Sequence, residues 1–167
     1  MRFVEHYRAQ VTLAAPAEAV FTFLDDPARL AGHMSRRSLM MGGGRMSIAL
    51  DGAGGRAVGS VLRLRGRFLG LPLAVDERVT RRRAPFHKVW QTMGAPKLIV
   101  LSAYRMGFEL RRAEAGTALA IWIGYALPKT GLPARLVRWL AASYARWCVD
   151  RMISDAVTHF GAAAATR

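Results

Sequence analysis

Hydrophobic and polar positions alternate with a period of two through much of the first 127 residues, and the pattern then changes to a helical one. The alternation is sharpest over residues 60–68, where Leu62 and Leu64 share one side and Arg63, Arg65 and Arg67 the other. That is the signature of an antiparallel strand with one face in water. Over residues 70–82, Leu71, Leu73, Val75, Glu77 and Val79 fall on a single face. Over 102–111, Tyr104, Met106, Phe108 and Leu110 alternate with Arg105, Glu109 and Arg111, and over 117–127 Leu119, Ile121, Ile123, Tyr125 and Leu127 align. Residues 2–14, 46–51 and 88–93 complete a set of seven strands; the parity of 88–93, which includes Trp90, is not fixed by its pattern.

Three segments carry helical spacing instead. Residues 16–26 (PAEAVFTFLDD) start with Pro16 and Glu18, residues suited to a first turn, and place Val20, Phe21 and Leu24 on one face. Asp25, Asp26 and Pro27 end that helix, and 27–34 give a second short one. Residues 35–45 (SRRSLMMGGGR) have no period and read as a mobile connection. From Pro133 to Phe160 no Gly or Pro intervenes until Gly161, so one long helix is expected. Leu136, Val137, Leu140, Tyr144, Trp147 and Cys148 are read as its apolar face, opposite Arg135, Arg138 and Arg146. Strand, two short helices, six strands in hairpin succession and one long helix make an α+β chain: a curved antiparallel seven-stranded sheet around a C-terminal helix, within a single domain spanning 1–167.

An apolar content of 52% supports a substantial core, and no apolar run is long enough for a transmembrane helix. Charge inside the opening MRFVEHYRAQ argues against a signal peptide, and a single cysteine, Cys148, excludes an internal disulfide; a cytoplasmic setting is expected. The excess of 25 Lys and Arg over 11 Asp and Glu gives a net charge of +14. These cations are scattered through every segment without a nucleic-acid-binding motif, so weak contact with anionic membranes is expected rather than a specific nucleic-acid partner.

The order of elements resembles the helix-grip fold of the START-like, Bet v 1-like superfamily, in particular its polyketide cyclase/dehydrase-like branch. The residues carrying the likeness are APAEAVFTFLDDPARLAGHM, the glycine-rich DGAGGRAVGS, APFHKVW and the final helix, together spanning about residues 3 to 161. The resemblance implies an elongated apolar cavity between sheet and helix that holds a lipid, polyketide or similar hydrophobic molecule. The superfamily shares no catalytic residue set, so an enzymatic role stays open.

Inward parity makes Leu64, Leu73, Glu77, Tyr104, Met106, Phe108, Ile121, Ile123 and Tyr125 on the strands, with Leu140, Tyr144 and Cys148 on the apolar face of the helix, the candidate ligand-binding set, to which Trp90 is added although its parity is open. Glu77 is an interior carboxyl that can serve as acid or base, or form an ion pair; Arg151 is its candidate partner. The tyrosine hydroxyls either orient a polar group of the ligand or bond to backbone. Four histidines show no metal spacing, and neither metal nor cofactor is expected. DGAGGRAVG lacks the P-loop ending and leads into a strand, so it reads as a flexible hairpin at the cavity mouth rather than a phosphate loop. Met34, Met40 and Met41 are candidates for a pliable gate. Carrier, cyclase/dehydratase-type enzyme and basic membrane-surface protein are the three functional classes these residues allow.

Overall fold

The computed structural model describes residues 3–30, 46–68 and 70–163. The expected connection over 35–45, with Met34, Met40 and Met41, lies outside the described residues. The elements are β1 (Glu5–Leu13), α1 (Ala17–Asp25), α2 (Pro27–Leu30), β2 (Met46–Leu50), β3 (Val61–Phe68), β4 (Leu71–Arg83), β5 (His87–Lys97), β6 (Ala103–Ala113), β7 (Gly116–Ala126) and α3 (Ala134–Phe160). The strands form one seven-stranded antiparallel sheet in the order β1-β7-β6-β5-β4-β3-β2. From β2 to β7 the chain meanders, and β1 adds to the free edge of β7 with Glu5 opposite Tyr125 and Leu13 opposite Thr117. Arg63, Arg65 and Arg67 are exposed, as the alternation of β3 requires. Leu71, assigned to the inner face of β4 by parity, is 58% exposed at the strand's first position.

The long helix lies on the sheet by a different line from the one its large residues suggest. Its buried residues are Val137, Ala141, Ala145, Cys148, Val149, Met152 and Ala156, whereas Leu136 is exposed. Alanines at four-residue spacing let the backbone of α3 come close to β1, whose facing residues Ala9 and Val11 are also small, and to β7. At this contact Tyr7 on β1 donates a 2.8 Å hydrogen bond to Asp150 Oδ1. Because α3 runs along the β1–β7 side, it cannot also sit tightly on β3, β4 and β5, and the interior is left open there.

Two irregularities set which side chains face that opening. The β4–β5 ladder shifts register between Val79 and Arg81, so Val79 pairs with Trp90 while Arg82 pairs with Lys88. A bulge of this kind reverses the parity of the residues beyond it. Arg82 consequently turns inward to meet Asp25 at the end of α1, together with Lys88, which is inward by the same parity as Trp90 on β5. The glycine-rich turn after β2 is tied rather than loose. Asp51 accepts hydrogen bonds from Ser60 Oγ at 2.6 Å and from the backbone N–H groups of Val61 at 2.7 Å and Ala53 at 3.1 Å. Gly55, at φ +71°, lies so close to Pro27 that a Cβ would stand 2.6 Å from Pro27 Cγ.

Candidate functional site

A cavity of about 60 Å³ lies between β3–β6 and the middle of α3. One water needs roughly 10–15 Å³ on this scale, so the space holds several waters or a compact organic group. Of the residues expected to line it, Leu64, Glu77, Trp90, Tyr104, Met106, Ile123, Tyr144 and Cys148 do so. Leu73, Phe108, Ile121 and Tyr125 are buried without reaching it, and Leu140 is half-buried outside it. For Ile121 and Tyr125 on β7 the crossing of α3 explains the difference. Phe108 packs edge-on against Phe21 of α1 at 5.6 Å, inside solid core at the foot of that helix. Leu62, Val75 and Val79 also line the cavity and share the parity of the expected set, and Met46 and Met152 line it as well.

Glu77 is the interior carboxyl that its parity suggested, with a different partner. Arg151 points outward and pairs with Asp155 at 3.8 Å. Tyr104 Oη donates instead to Glu77 Oε1, and the Trp90 indole N–H also bonds the carboxyl. Burial pushes the Glu77 pKa up to about 7, because these bonds and the Lys88 charge recover only part of the lost hydration. At neutral pH the group therefore exists in both protonation states, the condition in which a carboxyl can give or take a proton. Tyr104, buried beside it, is held well above the usual phenol range by burial and by the Glu77 charge. Across the cavity, Tyr144 bonds Cys148, whose thiol burial pushes up to about 12. Such a thiol stays protonated and unreactive.

Lys88 also lines the cavity, with the parity of Trp90, although it was not in the expected set. Its side chain is only 2% exposed, and its ammonium donates to Asp25 at two places, the backbone oxygen at 2.9 Å and Oδ1 at 2.8 Å. Arg82 grips the same carboxylate, with Nη2 to Oδ2 at 2.8 Å and Nε to Oδ1 at 3.1 Å. Burial alone would raise the Asp25 pKa, but the bonds from Arg82 and Lys88 outweigh it and hold the carboxylate below its ordinary range. Burial lowers the Lys88 pKa, opposed by its bond to Asp25. The arrangement ties the end of α1 to β4 and β5 and sets a cation in the cavity wall.

Among the described residues no group of His, Cys, Asp and Glu is placed to hold a metal ion, and no helix is long and apolar enough to cross a membrane. No family model matches the chain, and no curated protein matches it. Solved structures do. The chain is similar to the di-domain ARO/CYC BexL, with a TM-score of 0.67 and 17% identity over 98% of this chain and 51% of that one. It is similar to the Zhui aromatase/cyclase from a Streptomyces species, with a TM-score of 0.65 and 15% identity over 93% and 92% of the two chains. Similarity to Ara h 8.0201 has a TM-score of 0.59 and 10% identity over 92% and 98%. At these identities the likeness is one of fold, and the chain has the Bet v 1/polyketide cyclase-like helix-grip fold, as its element order implied.

Proposed function

We propose that the chain binds a hydrophobic small molecule in the cavity between sheet and α3. The observation that carries this reading is an interior space walled by Leu, Ile, Val, Met and aromatic side chains with a few polar groups, Glu77, Tyr104 and Lys88 among them, gathered in one wall. That is the usual make-up of a small-molecule site, in which apolar area supplies affinity and a few polar atoms fix orientation. Each Å² of apolar ligand surface removed from water contributes roughly 25 cal/mol. Met46, Met106 and Met152 in the lining can change rotamer cheaply to admit a ligand larger than the present space. Similarity in fold to aromatase/cyclases supports a ligand of this class. A second reading, a cyclase/dehydratase-type enzyme, is favoured by one observation, the Glu77 carboxyl titrating near 7 in the cavity wall.

The test uses the neutral dye N-phenyl-1-naphthylamine, whose fluorescence rises in apolar surroundings. Ile123 lines the cavity and is 2% exposed, so Ile123→Trp fills the space. Dye affinity is expected to fall about tenfold or more while the thermal midpoint changes little. A fallen midpoint with unchanged dye affinity would mean that dye binds elsewhere, and the cavity would lose its assigned role.

A further inference from the structure

We propose that the cavity takes an amphipathic monocarboxylate, its head held between the Lys88 ammonium and the Glu77 carboxyl; this deepens the ligand-binding reading and rests on it. The first ground is an unspent donor. A lysine ammonium carries three hydrogens. Two of those on Lys88 go to Asp25, and the described residues show no third bond from it. A buried ammonium with a free hydrogen in a cavity wall is a place for an acceptor.

The second ground is a charge count. Asp25 contributes one negative charge against one positive charge each from Arg82 and Lys88, which leaves one positive charge over; Arg56, which also acts on Lys88, is itself paired with Asp26 at 4.0 Å. Among the described residues, Asp25 and Glu77 are the only buried carboxyls, so Glu77 is the only interior group able to balance that charge. Glu77 holds its charge weakly, since burial has raised its pKa to about 7. A ligand carboxylate placed beside Lys88 would take over the balancing charge, and Glu77 would then bind a proton. The proton comes from solvent, and the protonated Glu77 donates its O–H to the carboxylate while Oε1 keeps the bond from Tyr104. Tyr144 and Cys148 face the pair from α3 as neutral groups.

The same count selects among head groups. A carboxylate brings one charge and two coplanar acceptor oxygens, one for Lys88 and one for Glu77. A phosphate brings up to two charges against the single one available. An alcohol leaves the Lys88 charge unpaired, and an amine meets it with like charge.

Competition against N-phenyl-1-naphthylamine with 2-naphthoate and the shape-matched 2-naphthalenemethanol tests the proposal. At about pH 6 the acid is expected to bind about tenfold or more tightly than the alcohol, the worth of one charge-assisted hydrogen bond. That advantage should shrink by about pH 8.5, with proton uptake on acid binding visible as a buffer-dependent enthalpy. Glu77→Gln should keep the preference for the acid and lose both its pH dependence and the proton uptake. Lys88→Met, which leaves Asp25 paired with Arg82, should lose the preference. Equal or tighter binding of the alcohol at the lower pH would overturn the proposal while leaving the cavity reading intact. Failure of the neutral dye itself to bind would remove both.

Discussion

Glu77→Gln offers a quantitative check on the interior of the cavity that needs no ligand. Glutamine has the shape of glutamate and still accepts the Tyr104 hydrogen bond, but it does not titrate. In the folded chain the Glu77 pKa is raised from 4.5 to about 7 by burial. Between those values the native state keeps a proton that the unfolded state has lost. The native state therefore binds more protons, and stability falls as pH rises, by up to about 1.4 kcal/mol per pH unit. A shift of about 2.5 units gives a loss of about 3 kcal/mol, complete above about pH 7. All other groups titrate alike in both proteins, so the difference in unfolding free energy between Glu77→Gln and the parent isolates this one. It should rise by about 3 kcal/mol from about pH 4.5 to pH 8, moving the urea midpoint of the variant up relative to the parent by about 1–3 M. Urea titrations at a series of pH values read this directly. A difference that stays constant with pH would mean that Glu77 is ionised and well compensated when folded, and the account of a weakly held charge would be wrong.

Two further changes probe what surrounds the cavity. Asp25→Ala leaves the buried Lys88 and the Arg82 guanidinium without their shared carboxylate, and should cost about 3–5 kcal/mol in urea unfolding; a loss below about 1 kcal/mol would show that the cluster is not what ties α1 to the sheet. Gly55→Ala puts a Cβ 2.6 Å from Pro27 Cγ at φ +71° and should cost on the order of 1–3 kcal/mol. Gly52, in the same turn with open space around it, is the control: Gly52→Ala should stay within about 0.5 kcal/mol of the parent.

The fold was legible because its strands have one face in water. Alternation marks the inner residues of β3, β6 and β7 correctly, and it puts Glu77 inside although glutamate seldom lies there. Two features escaped periodicity for physical reasons. A pattern of period two carries no mark of a bulge, so straight alternation from Val79 places Arg82 outside and gives no cause to look for the Asp25–Arg82–Lys88 cluster. On the helix, the largest apolar residues drew the expected face toward Leu136 and Leu140, while the alanines make the contact. A helix that must lie close to a sheet buries its small residues, and these add little to any hydrophobic pattern. Misplacing that face also put Ile121 and Tyr125 in the ligand wall, when the crossing of α3 over β1 and β7 leaves them in solid core, and Phe108 is covered by Phe21 of α1.

Glu77 and Lys88 make the strongest case that the cavity is kept for binding rather than left by imperfect packing. A void between a helix and a sheet costs stability through lost contacts, and evolution fills such voids readily with larger apolar side chains. Here the wall of the void carries a carboxyl that burial has made hard to ionise and an ammonium with a hydrogen unspent. Neither serves packing. A leucine or methionine in place of Glu77 would fit an apolar wall and remove a cost of about 3 kcal/mol at neutral pH. The ion cluster does tie α1 to the sheet, but Arg82 alone supplies Asp25 with a counter-charge, and Lys88 adds the positive charge that is left over. Departures from the most stable choice that gather around one cavity support the proposed binding role, and both of these residues line that cavity.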